Sequence, residues 1–335
     1  MVRHFGPSLR DVAAYAEVST ATVSFVLNGT KPVAAETRAR VEQAIIALNY
    51  RRSPSALALR TGRHHAVGLL LPDLANPFFP ALAQAVTEAA WRSGLALILA
   101  STGADPQKES EAIMALSERS DGIIWIPGSS KTFLQPTVPM VVLDRPAPSL
   151  AAFDSISSDH HAGGAAAAKL LTRLGRHRIG LLAGPTDSPS ANGRRDGFLA
   201  ALEPSDLLWQ CEAPFAHELP DHVAKMLADP ALDAVFAASD VMAIGALRRL
   251  QEYGRNVPGD VVLIGYDDIP WAALVEPRLT TVRQPVAALG SCAVATLTAR
   301  IAQPESPPVH HLLPVSLIER ASTAIEKDMP HAGHR

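Results

Sequence analysis

Residues Ser8–Asn28 read SLRDVAAYAEVSTATVSFVLN, and this stretch decides how the chain is organised. Ser8 and Asp11 stand at capping-box spacing, where each side chain can satisfy the other's free backbone N–H. Leu9, Val12, Ala13 and Ala16 recur on one face of a short helix. Glu17 and Val18 allow a brief turn, and Ser19 offers a second N-cap. The next helix then turns Val23, Val26 and Leu27 inward and leaves Thr20, Ala21, Ser24, Phe25 and Asn28 outside. Two short helices joined tightly, the second small and polar outside, suit a DNA major groove. An ordinary helical hairpin has the same periodicity, so spacing alone leaves both readings open.

Charge is distributed unevenly around this stretch. Residues 1–63 hold nine Lys and Arg against four Asp and Glu, whereas all 335 residues hold 30 against 33. A basic head on an acidic body is the asymmetry expected when only the head meets phosphate. Cys211 and Cys292 are too few and too far apart for a disulfide framework, which favours a reducing compartment. Met1–Pro7 shows no signal-peptide pattern and no apolar run is long enough for a bilayer. A cytoplasmic location without a membrane partner is expected.

The motif DVAAYAEVSTATVSFVLNG resembles the opening of the lactose- and purine-repressor (LacI) family, whose pattern runs DVA-x-x-A-x-VS-x-x-TVS-x-VLN. The likeness continues through ETRARVEQAIIALNY, LRTGRHHAVGLLLPDLANPFF, GYDDIPWAALVEPRLTTVRQP and LIERAST, nearly the whole chain. It implies a helix-turn-helix DNA-binding domain at 1–52, a hinge helix or linker at 53–63, and an effector-binding and dimerisation domain at 64–335. The implied partner is a pseudo-palindromic double-stranded DNA operator, bound by a homodimer. Thr20, Ala21, Thr22, Ser24, Phe25, Asn28 and Lys31 would contact DNA, and Leu59 would wedge into the minor groove. Ser53–Pro54 is a natural helix start, but Pro54–Arg60 is too short to hold as an isolated helix. Leu57 replaces a common Arg, removing a phosphate contact. Ala34 replaces a frequent Ser, which removes the cap of a third helix carrying Val41, Ala44, Ile45 and Leu48.

From Ala66 short apolar strands alternate with helices, which indicates buried parallel sheets. Strands are expected at Ala66–Leu71, Leu95–Ala100, Gly122–Ile126, Met140–Leu143, Ile179–Ala183, Ala234–Ala237 and Val261–Tyr266. Helices are expected at Ala81–Ser93, Gln107–Arg119, Ala162–Leu174, Gly193–Leu202 and Val241–Tyr253. The fold class is therefore an all-α helix-turn-helix head plus an α/β body of two lobes. The resemblance implies a periplasmic-binding-protein-like body that crosses between lobes near Asp159–Gly163, Thr281–Gln284 and Leu313–Pro314. Lobe 1 would comprise about 64–161 and 284–313, and lobe 2 about 162–283 and 314–325.

Ligands of parallel sheets bind beyond the carboxyl ends of the strands. Asp73, Asp144, Asp240 and Asp267 follow strands there, and Arg194 and Arg195 follow GPTDSPSANG, which reads as a flexible loop. Converging carboxylates and a guanidinium suit a polyhydroxylated metabolite such as a sugar. With the resemblance, the expected effector residues are Asn76, Phe78, Asp144, Ser188, Ser190, Arg194, Asp240 and Asp267. Asp240 reads equally as a helix N-cap. WQCEAPFAHELPD departs from the family's acidic-aromatic-Gly run, leaving the role of Phe215 open.

Catalytic signatures are missing: the chain has no GxxxxGK, no GxGxxG after a strand and no GxSxG. His217-Glu218 is followed by Pro220 and Asp221, and the pairs at 64–65, 160–161 and 310–311 lack metal-ligand spacing on a helix. These histidines read as solvated or structural. No catalytic residue, metal or cofactor is expected. The leading reading is a sequence-specific transcriptional regulator, a repressor, controlled by a small metabolite between its lobes. Its rival is a small-molecule binding protein with a vestigial head.

Overall fold

The computed structural model describes residues 6–50, 62–128 and 136–324. Leu57, Leu59 and the Ser53–Arg60 hinge segment lie outside the described residues. The chain divides into two compact units at His64/His65.

The first unit contains α1 (Leu9–Tyr15), α2 (Thr20–Asn28) and α3 (Ala35–Ala47). Ser8 N–H donates to Asp11 Oδ2 at 2.6 Å and Asp11 N–H donates to Ser8 Oγ at 3.4 Å, closing the capping box. Glu17 takes a left-handed φ of 51° in the turn, Ser19 Oγ caps α2 through Thr22 N–H, and Gly29 ends it at φ 65°. Val12, Ala13, Ala16, Val23, Val26, Val41 and Ala44 form the core, with Leu9, Leu27, Ile45 and Leu48 packed against it. Ala34 stands at the N-cap of α3 without a side-chain hydrogen bond.

The second unit holds two six-stranded sheets. Sheet one comprises β1 (Ala66–Leu71), β2 (Ala96–Ser101), β3 (Ile123–Trp125), β4 (Met140–Leu143), β5 (Asp154–Ser158) and β11 (His310–Leu313). Its order is β11-β5-β4-β3-β1-β2, and every pairing is parallel. Sheet two comprises β6 (Ile179–Ala183), β7 (Leu207–Glu212), β8 (Ala234–Ala237), β9 (Val262–Asp267), β10 (Thr280–Arg283) and β12 (Ser316–Ile318). Its order is β12-β10-β9-β8-β6-β7, with only β12 antiparallel. Alternating side chains divide between the faces: Leu69 and Leu71 pack with α4 (Phe78–Arg92) and α10 (Val286–Ala302), Leu70 with α5 (Pro106–Ser117). On sheet two, α6 (His160–Arg173) and α7 (Pro189–Ala201) cover one face. The other is covered by α8 (Asp221–Leu227) and α9 (Asp240–Glu252).

The chain passes between the sheets three times: after Ser158, after Arg283 and after Leu313. Several elements differ from the periodicity reading. Helix α7 begins at Pro189 rather than Gly193, because Ser188 Oγ caps it through Ala191 N–H and proline suits its first position. PSANG is therefore helix, not flexible loop. Ser190 lies in the first turn and Arg194 in the second. The unexpected β5 reads DSISS, a polar strand buried at every position.

Helices α6 and α7 approach closely because both present glycine. A Cβ on Gly164 would overlap the Arg194 carbonyl oxygen, and one on Gly197 the His161 carbonyl oxygen. That approach sets His160 beside Arg194.

Candidate functional site

In the head, Ser19 fixes the start of α2 and leaves Thr20 and Ala21 exposed on its first turn. Thr22 and Ser24 are half-buried, and Thr22 Oγ1 sits 2.9 Å from Ser19 Oγ. Asn28 Nδ2 donates back to the Ser24 carbonyl at 2.6 Å and contacts Ser24 Oγ at 3.0 Å. Phe25 is half-buried, and the Lys31 ammonium lies 4.9 Å from its ring centroid, within cation–π range. The outer surface of α2 therefore offers small groups at its start, and an aromatic ring paired with a cation towards its end.

In the body, the carboxyl ends of the strands of both sheets line a cavity of about 370 Å³. Asp73, Asn76, Phe79 and Arg145 come from lobe 1; Asp187, Ser188 and Phe215 come from lobe 2. A narrow recess beside it is lined by Asn76, Phe78, Phe79, Asp144, Arg145, Ser190, Arg194, Phe215 and Asp267. Asn76, Phe78, Asp144, Ser188, Ser190, Arg194 and Asp267 thus gather around one cleft. Asp240 is not among the lining residues. Its carboxylate accepts from Thr281 Oγ1 at 2.5 Å and Ile269 N–H at 2.8 Å, while Ser239 caps α9. Asp240 accordingly holds the turn after β9, and is neither a lining group nor the N-cap.

The polar groups form a buried network. Arg194, 3% exposed, donates from Nη1 to the Ala238 carbonyl at 2.6 Å and from Nε to His160 Nδ1 at 3.3 Å. Its Nη2 lies 3.2 Å from Asp267 Oδ1, and its guanidinium stacks 4.0 Å from the Tyr266 ring centroid. Gln284 Nε2 also donates to Asp267 Oδ1, at 2.7 Å. Asp144 and Asp267 hold left-handed backbone, φ 67° and 111°, of the kind concentrated at ligand sites. Arg145 Nη1 donates to the Pro127 carbonyl at 3.1 Å, and its Nε is 3.7 Å from Asp144 Oδ2. Among the described residues, Arg145 Nε and Asp144 Oδ1 have no hydrogen-bond partner. Buried polar atoms left in this way mark places where a ligand can bond.

Burial pushes Asp267 up to about 6, although Arg194 and Gln284 oppose the rise. Burial also acts to raise Asp144, but His160 and the Arg194 and Arg145 charges outweigh it and hold its carboxyl below the usual range. Burial lowers His160, which favours its uncharged imidazole against the opposing pull of Asp144. Desolvation and then the nearby Asp267 charge push Asp240 far up, against the lowering effect of the hydrogen bonds it accepts from Thr281 Oγ1 and Ile269 N–H.

Sequence reasoning missed Arg145, and took His160 for a solvated or structural residue. Arg145 directly follows Asp144 at a strand end, a signal that could have found it. His160 carried none, because its partners Asp144, Arg194 and Tyr266 lie far away in sequence. Phe215, left open by its atypical surroundings, lies in the cleft wall, 5.9 Å from both guanidinium carbons.

A helix-turn-helix head and a two-lobed body with a polar cleft define a ligand-responsive DNA-binding regulator. Residues 8–53 match the model of bacterial regulatory proteins of the lacI family, and residues 168–323 match a periplasmic binding protein-like domain. The ribose operon repressor of Halalkalibacterium halodurans is 34% identical over 324 residues, covering 94% of this chain and 97% of that protein. The lac repressor dimer bound to operator and the anti-inducer ONPF superposes with TM-score 0.83 at 28% identity, covering 96% of this chain and 100% of that one. A LacI family regulator from Enterococcus faecium with bound ribose covers 77% of this chain and 98% of its own, at 29% identity and TM-score 0.68. The chain belongs to the lacI family of bacterial regulatory proteins, and it is a DNA-binding transcription regulator, not an enzyme. Among the described residues no helix is long and apolar enough to cross a membrane.

Proposed function

We propose that this protein is a cytoplasmic repressor that binds a pseudo-palindromic operator as a homodimer and responds to a small sugar in its cleft. The observation that carries the effector reading is a cavity of about 370 Å³ to which both lobes contribute. Asp73, Asp187 and Arg145 line it, together with Phe79 and Phe215. Hydroxyl groups bond well to charged acceptors and donors, while aromatic faces cover the apolar C–H surface of a sugar ring. Ribose operon repressors among the relatives and the ribose-bound regulator support a monosaccharide. The rival, a binding protein with a vestigial head, is disfavoured by the capped N-termini of α1 and α2, the packed core of the head and the exposed first turn of α2.

A thermal-shift screen of D-ribose and other monosaccharides on the full chain tests the effector reading, since selective binding raises apparent stability. One or a few related sugars are expected to raise the melting temperature, with binding-site selection returning a two-fold-related DNA sequence. Failure of every sugar would remove the effector class. Failure to select DNA would restore the rival.

A further inference from the structure

We propose that His160 is the positioning residue that transmits the state of Arg194 in lobe 2 to the Asp144 loop of lobe 1. The inference rests on reading Arg194 as an effector contact. His160 opens α6 immediately after the first crossing and is 6% exposed. Arg194 Nε can only donate, so the His160 Nδ1 that it meets at 3.3 Å must accept. The ring hydrogen then resides on Nε2, which lies 3.3 Å from the Asp144 carbonyl oxygen and 3.5 Å from Asp144 Oδ1. Tyr266 places its hydroxyl 3.3 Å from the same Nδ1. One neutral imidazole therefore accepts from lobe 2 through one nitrogen and donates to lobe 1 through the other.

What lies on the lobe 1 side is poised to respond. Asp144 holds left-handed backbone, and its Oδ1 has no hydrogen-bond partner among the described residues. The peptide carbonyl that His160 holds is the one leading into Arg145, which lines the cleft. An effector oxygen that draws Arg194 away from His160 leaves Nδ1 to Tyr266 alone. The ring then turns, and the Asp144 carbonyl loses the lobe-spanning one of its two side-chain donors, keeping only Ser157 Oγ at 3.3 Å from its own lobe. Glycines in α6 and α7 supply the proximity that this relay needs, because only their close approach brings His160 within reach of Arg194.

The test follows amide hydrogen exchange of segment 140–146 in the full-length chain without ligand. It compares wild type, His160→Leu and His160→Gln, each with and without Arg194→Lys. Lysine cannot reproduce the Nε donor, whereas the Gln amide replaces the acceptor and donor of a neutral imidazole. Arg194→Lys is expected to raise exchange in 140–146 several-fold in wild type and in His160→Gln. In His160→Leu, exchange is already raised and Arg194→Lys adds nothing. Additive effects, or no response of lobe 1 to Arg194→Lys, would overturn the relay. Should His160→Leu not fold, wild type and His160→Gln still decide: failure of Arg194→Lys to raise exchange in either one overturns it. D-Ribose forms a separate arm. If it does not bind wild type, the ribose reading fails while the ligand-free exchange result still stands or falls independently.

Discussion

Asp267 and Asp144 lie in one buried network yet are driven in opposite directions. Asp267 rises from its ordinary 3.8 to about 6, first through burial. Stability associated with its protonated form is complete below about pH 4 and is lost as pH rises through about 6, at most about 3 kcal/mol. Asp267→Asn should therefore gain stability relative to wild type over that window, read as diverging denaturation midpoints from pH 4.5 to 7.5. A constant difference across that range would refute the assignment. Asp144 behaves oppositely: its contribution is present above the ordinary carboxylate range and lost on acidification. In the head, Phe25 faces out with Lys31 over its ring, so it offers apolar contact, as to a thymine methyl, instead of bidentate guanine readout. Phe25→Arg should change the preferred half-site in a binding-site selection; the same consensus for both proteins would count against this.

At the scale of the element, α3 lacks the cap that α1, α2, α6, α7 and α9 possess. Ala34→Ser should stabilise the head by about 1 kcal/mol, measured as a raised urea midpoint for residues 1–60. The helix pair α6 and α7 is sensitive in the other direction. Gly197→Ala should destabilise the body by about 1–3 kcal/mol or more, because the backbone carbonyl of His161 cannot yield as a side chain would. A melting temperature equal to wild type would show that the helices separate freely. These elements were unequally legible. Strands β1, β4, β6 and β8 were bounded as the apolar runs suggested, since both faces of each are buried. The strand β5 was not, because DSISS signals a turn to any local reading. Its burial depends on partners in β4 and β11 and on Arg300, whose Nε and Nη2 each hold Asp154 at 2.7 Å.

Across the whole molecule, Arg194 serves both the cleft and the integrity of lobe 2. Arg194→Ala should abolish any ligand-induced melting shift and lower apo stability by roughly 3–5 kcal/mol, because Asp267 stays buried without its cation. Adding Asp267→Asn should restore part of the stability but not the ligand shift, which differential scanning calorimetry can separate. Equal melting of Arg194→Ala and wild type would remove the structural role. The head and the α/β class of the body were legible because caps, turns and hydrophobic periodicity act over a few neighbouring residues. Ser8, Asp11, Ser19 and the apolar runs from Ala66 onward carry them in the sequence itself. Which polar residues meet was decided only by the tertiary structure. Asp144, His160, Arg194, Phe215 and Asp267 come from elements of two sheets, and converge only once the chain has crossed between them. Asp240 shows the same dependence from the other side: it follows a strand as Asp144 does, yet the turn after β9 claims its carboxylate. Burial and hydrogen-bond partners, which determine whether a carboxylate is a ligand or a brace, are properties of the assembled fold.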